Sequence, residues 1–430
     1  MKILMVSPFY PPQGGGAEVS TMLECRELID NGVNVVLVTN NILQKELERE
    51  SLSKKLKIYR VPMNFTSFIY PKGKPFGEFL YWTFQRESWK YISKLAIKER
   101  VDLIHISHAY TAFDKSFLKI PIVLTIRDLW PVCIYRSYPE GDLCCAFKYF
   151  IGGFPCRKKL YINYGVKRIP HLLYNMLFTP TLFCLNRLVQ EKNQEKVEQV
   201  DQIVVISNFL KKSITRNLKI NENKVEVIYP PARWVRYVPR KNHENITYTY
   251  IGRLDFTKGV VNLLRAFHIM VRRTSRKTRL LIVGDGELYG RLNRYISRYN
   301  LSKNVLLIGR IPHSRIPEVF KDTDVVVVPS LLPEGFGRVA LEALLAGRIV
   351  VVNPVGGLKE LIDDGINGFY VNCNDINELA NKLLEITSLS KDEILSMGIK
   401  ARKYTLVKKF DPNERVQKLL RIYQRLCLNK

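Results

Sequence analysis

VVVVPSLLPEGFGRVALEALLAG, residues 325–347, is the stretch of this chain that most constrains its fold. Four consecutive valines are typical of a parallel strand that is buried on both faces. A Gly-x-Gly turn follows, and the apolar residues after the turn predict a helix. Such a turn exposes backbone N–H groups at a helix N-terminus, where an anion is favoured.

Two glutamates flank this turn, Glu334 before it and Glu342 within the predicted helix. A carboxylate beside an anion site repels a phosphate unless it has another task, such as accepting hydrogen bonds from hydroxyl groups. A ligand that carries both phosphate and hydroxyl groups is a sugar nucleotide. For the glycine turn alone the alternative is an ordinary strand-end loop, because many α/β strands end in one.

The whole pattern, with both acids and the run Ala343–Gly347, resembles the donor-site signature of the family 4 retaining glycosyltransferases of the GT-B type. The resemblance implies an α/β fold in which two Rossmann-like, doubly wound domains face a cleft and the C-terminal helix crosses back to the first domain. It implies that Glu342 accepts hydrogen bonds from the ribose hydroxyls and that Glu334 faces the hydroxyls of the donor sugar. The residues of the turn that it implies bind the donor are Gly335, Phe336, Gly337 and Val339.

The composition is that of a basic globular protein. The chain has 430 residues, which is too long for one ordinary core and fits two domains of about 200 residues. It carries 67 Lys and Arg against 40 Asp and Glu, a formal charge of +27. Such a surface attracts polyanions, although a general compositional bias is the alternative explanation. No zinc-finger, RNP or helix-turn-helix signature is present, so an anionic membrane surface fits this charge better than nucleic acid does.

The sequence predicts neither a signal peptide nor a membrane-spanning helix. The first apolar run ends at Pro8, which is too short for a secretory segment. No stretch approaches about 20 uninterrupted apolar residues, the length that a spanning helix needs. We therefore expect a cytoplasmic protein that is peripheral on the inner face of the cell membrane.

One segment contains a cluster of cysteines. Their spacing matches no common zinc motif, and a cytosolic protein rarely keeps disulfides. A structural metal, disulfides and simple packing of thiols all stay open for Cys133, Cys144, Cys145 and Cys156.

Strands and helices alternate through the first half, which predicts a parallel sheet with helices on both faces. The predicted strands are Lys2–Ser7, Asn34–Thr39, Ile58–Val61, Val101–Ile106, Ile122–Thr125, Gln202–Ile206 and Val225–Ile228. The predicted helices are Val19–Asn31, Phe76–Glu99, His171–Val200 and a helix capped by Ser207 that reaches Asn217. We expect a first, acceptor-side Rossmann-like domain over residues 1–235, with a cysteine-containing insertion at 131–170.

A second alternating series follows a proline-containing linker at 230–245. Its predicted strands are Thr247–Ile251, Leu280–Val283, Val305–Leu307, Val325–Pro329 and Ile349–Asn353, and its helices include Val260–Arg273 and Gly286–Tyr299. We expect a nucleotide-sugar-binding domain over 236–411 and a terminal helix over 412–430 that packs back on the first domain. Ligands of open α/β sheets bind at the carboxyl ends of the strands.

Two cations follow the first strand of the second domain. Arg253 and Lys258 lie five residues apart in GRLDFTKG, residues 252–259. Together they could clamp a diphosphate, the arginine as a fork and the lysine as a point charge, and stabilise it as a leaving group. A solvated surface pair is the alternative. The spacing Gly-Arg-Leu-x-x-x-Lys-Gly resembles the diphosphate motif of the family.

Glycine turns are expected to border the donor. FYPPQGGGAE, residues 9–18, follows the first strand, and its glycines allow the backbone to approach a ligand closely. It lacks the dinucleotide Gly-x-Gly-x-x-Gly spacing and a Walker lysine. The family has a Gly-Gly loop here, which implies that Gly15 and Gly16 lie against the donor. Two later strand-end turns, which border the nucleotide in the family, contribute Gly284, Arg310 and Ile311; ordinary loops are the alternative for all of these turns.

The carboxyl ends of two first-domain strands carry polar candidates. His105 and His108 end one strand, where a histidine could contact the transferred sugar or the acceptor, with packing as the alternative. The family often has His-x-His here, and the alignment leaves open which histidine is functional. Many relatives have His-Asp where this chain has Arg127-Asp128, so Asp128 is a candidate acceptor-side base or hydrogen-bonding group.

We expect no cofactor and no catalytic divalent metal. Asp322 and Asp324 match the Asp-x-Asp metal motif of other glycosyltransferases, but they precede a strand and so stand away from the predicted site. The resemblance implies a UDP-sugar or GDP-sugar as donor substrate, and the sequence does not distinguish the two bases.

These patterns lead to one functional expectation and two alternatives. The resemblance implies a retaining glycosyltransferase that moves a sugar to a glycan or polyprenyl-linked acceptor in glycoconjugate or polysaccharide biosynthesis. The segments Phe65–Trp89 and Leu172–Leu185 could face a membrane in that role, or be ordinary core helices. The alternatives are a sugar-nucleotide 2-epimerase of the same fold and a non-catalytic basic protein that binds a membrane surface or a sugar nucleotide.

Overall fold

The computed structural model describes residues 1–7, 10–11, 16–40, 49–53, 55–61, 86–107, 115, 118–129, 131, 191, 194–232, 237–241 and 244–428. The chain divides into two compact units, Met1–Pro231 with Asn413–Lys430, and Ala232–Pro412. Several expectations fall outside the described residues: Gly15, His108, the four clustered cysteines, the segment Leu172–Leu185, most of Phe65–Trp89 and most of the helix predicted over His171–Val200.

Within the described residues, the first unit contains an eight-stranded sheet. Its strands are β1 (Lys2–Val6), β2 (Asn34–Asn40), β3 (Arg49–Ser53), β4 (Leu56–Val61), β5 (Leu103–Ile106), β6 (Ile122–Ile126), β7 (Gln202–Val205) and β8 (Val225–Val227). They lie in the order β3-β4-β2-β1-β5-β6-β7-β8, and all neighbours are parallel except β3 and β4, which are antiparallel. The helices are α1 (Gly16–Asp30), α2 (Arg86–Lys98) and α3 (Asn208–Leu218).

The sequence of the central strands explains their position. β1 lies between β2 and β5, with Ile3 opposite Val35 on one side and Leu103 on the other. Successive side chains of β1 are fully buried, as expected for a parallel strand that is covered on both faces. α1 ends just before Gly32, whose φ of +87° is the left-handed conformation that stops a helix.

The last helix of the chain belongs to the first unit. Its apolar residues Val416, Leu419, Leu420 and Tyr423 follow the i, i+3, i+4, i+7 spacing of an amphipathic helix. They pack in the core of the first unit with β1, β2 and β5. This helix spans Pro412–Leu428, within the range 412–430 that the sequence predicts.

Within the described residues, the second unit contains a six-stranded, fully parallel sheet. Its strands are β9 (Ile246–Ile251), β10 (Thr278–Val283), β11 (Val305–Gly309), β12 (Val325–Val328), β13 (Ile349–Val352) and β14 (Phe369–Tyr370), and they lie in the order β11-β10-β9-β12-β13-β14. Its helices are α4 (Val260–Val271), α5 (Tyr289–Arg298), α6 (Ile316–Lys321), α7 (Arg338–Leu345), α8 (Leu358–Leu361), α9 (Ile376–Ser388) and α10 (Lys391–Tyr404), so the terminal helix Pro412–Leu428 is α11.

The carboxyl ends of the central strands of this second sheet carry the donor-site candidates that the sequence places in the second domain. Because the strands are parallel, the turns after β9, β10, β11, β12 and β13 all lie at one edge of the sheet. Among the described residues, no helix has the length and apolar character needed to cross a membrane.

Candidate functional site

The turns at the carboxyl edge of the second sheet are joined by backbone hydrogen bonds. The N–H of Leu254, after β9, donates to the carbonyl of Asp285, after β10, at 2.9 Å. The N–H of Gly284 in turn donates to the carbonyl of Gly309 at the end of β11, at 2.8 Å. Three strand ends therefore form one connected surface.

The close approach of these turns requires a glycine at position 284. Its φ is +143°, and a Cβ at this position would lie 1.8 Å from the carbonyl oxygen of Gly252. No side chain fits there without moving the backbone. The expectation that Gly284 borders a nucleotide is a separate matter, and it stays a prediction.

Lys258 and Glu334 meet at this edge. The Lys258 Nζ lies 2.5 Å from Oε1 of Glu334, and Ser330 Oγ donates to the same oxygen at 2.5 Å. Lys258 follows β9 and Ser330 follows β12, so two neighbouring strands supply the cluster. Both contacts fall on Oε1, so within the described residues Oε2 of Glu334 is left to accept a hydrogen bond from a ligand.

A local cap fixes the position of Lys258. Asp255 accepts a hydrogen bond from the backbone N–H of Thr257 at 2.9 Å and caps a short 3₁₀ turn, Phe256–Lys258. Gly259 then takes a left-handed φ of +68°, and its Cα faces the carbonyl of Pro329 so closely that a Cβ would lie 1.9 Å from that oxygen. The motif 252–259 thus holds Lys258 against the turn that carries Glu334.

Opposing effects act on the Glu334 carboxyl group. Burial raises its pKa, but the positive charge and hydrogen bond of Lys258, the hydrogen bond of Ser330 and the charge of Arg253 lower it more, so the net shift is downward. Glu334 is therefore ionised at neutral pH. An ionised carboxylate is an acceptor of hydrogen bonds and not a proton donor.

Arg253 is exposed beside this cluster. Its side chain is 75% exposed, and its guanidinium lies 3.2 Å from Asp255. Its own backbone carbonyl accepts a hydrogen bond from Tyr250 at 2.6 Å, which fixes the main chain and leaves the side chain at the surface. An exposed guanidinium next to Lys258 is placed to meet an incoming anion.

Glu342 has its own pair of partners. Its side chain is 5% exposed, and Oε1 accepts from Arg338 Nη2 at 2.8 Å and lies 3.3 Å from Nε2 of His313. Arg338 is one helical turn earlier in α7, and His313 comes from the loop after β11. Burial raises the pKa of Glu342, but the charge of Arg338 and the hydrogen bond of His313 outweigh it, so this carboxyl group is also ionised.

The glycine turn before α7 is tightly packed. Gly337 has a φ of +96°, and a Cβ there would lie 2.3 Å from Cδ2 of Leu358. Phe336 is buried, while Gly335 and Val339 are half-buried. The N–H of Gly357, after β13, donates to the carbonyl of Glu334 at 2.8 Å and ties this turn to the neighbouring strand end. On the other side of the site, Arg310 is exposed and Ile311 half-buried in the loop after β11.

In the first unit, His105 is not at the surface, which corrects the expectation that it contacts a sugar or acceptor. Its side chain is fully buried. Nε2 shares a hydrogen bond with Thr125 Oγ1 at 2.7 Å, and Nδ1 shares one with the Tyr423 hydroxyl at 2.5 Å. Burial lowers the pKa of His105 to about 4 despite the nearby Glu24 carboxylate, so the histidine is neutral and structural.

Arg127 has a structural task as well. Its Nε and Nη2 each donate to Ser107, to the carbonyl and the hydroxyl, at 2.9 Å. The Glu24 carboxylate lies 3.6 Å from Arg127 and 2.6 Å from Arg415 of α11. This network holds the Arg127 side chain in the interior of the first unit. Asp128 follows directly and is half-buried, and Gly16 is exposed at the start of α1.

Asp324 is used inside the fold. It lies 2.6 Å from Arg240 Nη1 and accepts from the backbone N–H of Thr247 at 2.8 Å, at the amino end of β12. This edge is opposite to the one that carries Glu334. Among the described residues, no group of three or more His, Cys, Asp or Glu side chains is arranged to hold a metal ion.

Three side chains of this site were not predicted from the sequence: Arg338, Ser330 and His313. Arg338 precedes Glu342 by four residues, so helical spacing alone could have identified it. Ser330 stands in the quoted stretch and signals only a strand end. His313 is 29 positions before Glu342 in the sequence, and nothing local predicts their contact, because it joins the loop after β11 to α7.

Two family models cover nearly the whole chain. The model described as Glycosyltransferase Family 4 matches residues 14–232, and the one described as Glycosyl transferases group 1 matches residues 235–427.

Individual relatives match over part of their length. An uncharacterized glycosyltransferase of Methanocaldococcus jannaschii is 32% identical over 184 residues, which cover 40% of this chain and 46% of the relative. The UDP-Gal:alpha-D-GlcNAc-diphosphoundecaprenol alpha-1,3-galactosyltransferase of Escherichia coli is 28% identical over 243 residues, 53% of this chain and 61% of the relative. The chain thus spans about half the length of these curated relatives.

A solved structure extends the likeness to the whole chain. The Anabaena HepE structure in complex with UDP and glucose aligns with a TM-score of 0.65 at 16% identity and covers 99% of each chain. At this level of identity the likeness establishes the fold.

Proposed function

Because the chain belongs to glycosyltransferase family 4 and folds as two parallel-sheet Rossmann-like domains of the GT-B type, we propose that it transfers a sugar from a nucleoside diphosphate sugar to a glycan or lipid-linked acceptor. The anomeric configuration of the sugar is retained in this proposal. The reaction serves the synthesis of a glycoconjugate or polysaccharide.

The observation that carries the proposal is the Lys258–Glu334–Ser330 cluster. It combines a cation with an ionised acid at the end of two neighbouring parallel strands, the place where open α/β sheets bind ligands. As the bond between sugar and diphosphate breaks, negative charge grows on the diphosphate. Lys258 and the exposed Arg253 are placed to stabilise that charge, which is the electrostatic part of catalysis.

Each of the two acids accepts hydrogen bonds from a different part of the donor in this proposal. Glu334 accepts from the hydroxyls of the transferred sugar, and Glu342 accepts from the ribose. The turn at Gly335–Gly337 presents backbone N–H groups at the start of α7 to the sugar and phosphate. The loop with Arg310 and Ile311, Gly284 and the glycine loop at Gly15 and Gly16 complete the donor site in this proposal.

A UDP-sugar or GDP-sugar is the donor that we propose. The Escherichia coli relative uses UDP-Gal by its name, and the structurally similar HepE was solved with UDP and glucose. Diphosphate stabilisation by two side-chain cations lets the reaction proceed without a catalytic divalent metal in this proposal.

A lipid-linked acceptor agrees with two observations. The same relative is named for an acceptor on diphosphoundecaprenol, and the chain carries a formal charge of +27. A basic surface gains free energy at an anionic leaflet, so we place the protein at the inner face of the cell membrane.

The test is a stepwise product analysis. The first step measures binding of a panel of UDP-sugars and GDP-sugars by thermal shift. The second incubates the donor that binds without any acceptor, where release of an epimerised sugar would identify an epimerase instead. The third adds a polyprenyl-diphosphate-linked sugar and determines the anomeric configuration of the product by NMR. Binding of no donor in the panel would refute the proposal.

A further inference from the structure

Arg338 stands at a position where a cation does not stabilise a helix. It is the first residue of α7, where the positive end of the helix dipole disfavours a cation. It also stands four residues before Glu342, the less favourable order for a charged pair in a helix. Its side chain is nevertheless only 16% exposed and bonded to Glu342. Local helix stability therefore does not explain this arginine.

His313 reaches the same carboxylate from a different element. Its Nε2 lies 3.3 Å from Oε1 of Glu342, and its Nδ1 is buried without a hydrogen-bond partner among the described residues. Because His313 comes from the loop after β11, it ties α7 to the end of a strand that is not adjacent to β12 in the sheet. A nitrogen that is buried and unsatisfied has a cost of about 1–3 kcal/mol, which argues that the position is held for a purpose other than stability.

Both contacts fall on one oxygen of Glu342. Arg338 and His313 share Oε1, so within the described residues Oε2 accepts from no protein group. A carboxylate offers about four acceptor positions on two oxygens. One oxygen of Glu342 is thus fixed by the protein, and the other is presented in a set direction.

We propose that Arg338 and His313 are positioning residues that orient Glu342 toward the ribose of the nucleotide and so set the preference of the site for ribonucleotides. This inference rests on the proposed function, because it presumes that Glu342 accepts from the ribose hydroxyls. Arg338 supplies the charge that keeps Glu342 ionised, and His313 fixes its rotation. Neither side chain touches the ligand.

The experiment compares nucleotides that differ by one hydroxyl group. Binding of UDP, GDP and their 2′-deoxy and 3′-deoxy counterparts is measured by calorimetry for the wild-type protein and for Arg338→Gln, Arg338→Lys, His313→Gln and Glu342→Gln. Arg272→Gln is the matched control, because Arg272 is exposed directly after the last residue of α4, toward the amino edge of the sheet. The readout is the ratio of affinities for the ribonucleotide and its deoxy form, which loss of folded protein does not change.

The wild-type protein and Arg272→Gln should prefer the ribonucleotide by about 10-fold or more, since hydrogen bonds to a charged group are strong. Glu342→Gln, Arg338→Gln and His313→Gln should bring the ratio close to one by weakening ribonucleotide binding alone. Arg338→Lys should keep part of the preference, because it keeps the charge and loses the fork.

Three results would overturn the inference. They differ in whether they also refute the role of Glu342 or the proposed function. A wild-type ratio intact in Arg338→Gln and His313→Gln would refute the positioning role and leave the proposed function standing. A wild-type protein that binds nucleotides without preference for ribose would refute the role of Glu342 as well. A wild-type protein that binds no nucleotide would refute the proposed function itself.

Discussion

Replacing Lys258 with methionine removes the cation from Glu334 and keeps the aliphatic volume of the side chain. Glu334 then keeps the hydrogen bond that the Ser330 hydroxyl donates to it at 2.5 Å. Its side chain is only 20% exposed. Burial raises the pKa of Glu334, and Lys258 is the main group that lowers it. The pKa of Glu334 should therefore rise in the variant. We expect the variant both to lose stability and to lose turnover.

The size of the stability effect follows from the exposure of the pair. Lys258 is 26% exposed and Glu334 20% exposed, so the pair lies between surface pairs, worth about 0–1 kcal/mol, and buried ones, where losing one partner costs about 3–5 kcal/mol. We expect a loss of about 2 kcal/mol in the free energy of unfolding of the second unit. At about 2–4 °C for each kcal/mol, Tm should fall by several degrees.

The effect on turnover should be larger. Removing one group that stabilises charge in the transition state typically lowers kcat about 10²- to 10³-fold. Steady-state kinetics with the preferred donor measures this loss, and calorimetry measures Tm. Lys277→Met is the matched control, because Lys277 pairs with Glu244 at 74% and 80% exposure in the same unit. Its Tm and turnover should stay near those of the wild type.

The double variant Lys258→Met/Glu334→Gln separates the two effects. It removes both charges, so most of the lost stability should return while turnover stays low. Glu334 has a lowered pKa in the folded protein, so its stabilising effect is present above pH 4.5 and is lost as the pH falls below that value. Wild-type turnover in Lys258→Met would refute the catalytic reasoning, and equal loss of Tm in the single and double variants would refute the electrostatic reasoning.

Two further predictions concern the first unit. Burial raises the pKa of Glu99, but its hydrogen bonds with Lys2 and Tyr59 lower it to about 2; Glu99→Gln should therefore unfold more easily at neutral pH, and its difference from the wild type in chemical denaturation should vanish as the pH falls from 4.5 to 2. A difference that persists at pH 2 would contradict this account. Arg415→Met leaves the buried Glu24 with one cation fewer and should lower the free energy of unfolding by about 3–5 kcal/mol, with part of the loss recovered in Arg415→Met/Glu24→Gln; a thermal unfolding curve unchanged by Arg415→Met would contradict the importance of the pair.

Sequence patterns predicted the central strands well, because runs such as residues 325–328 are apolar on both faces and can only be buried. β3 was missed, since its sequence RESLS contains no apolar alternation and forms a strand through antiparallel pairing with β4. Strand formation at such a segment depends on the neighbour and not on the segment.

The candidate site was predictable where spacing along the chain decides the contact. Glu334 and Glu342 are arranged by one turn and one helix, and the sequence pattern identified both. The burial of His105 was not predictable, because Tyr423, which covers it, stands 318 residues later. Local sequence carries no information on a contact of that separation.

The position of α11 in the sequence determines which of the two units can finish folding first during synthesis. The second unit is one continuous segment, Ala232–Pro412, whereas the first unit needs residues from both ends of the sequence. During synthesis the N-terminal sheet emerges first, yet its core lacks Val416, Leu419 and Tyr423 until α11 has been translated. The second unit, although it is synthesised later, can therefore reach its native state first. Until α11 is available, the N-terminal sheet has an apolar face exposed. A defect confined to α11 would show itself as misfolding at the opposite end of the polypeptide.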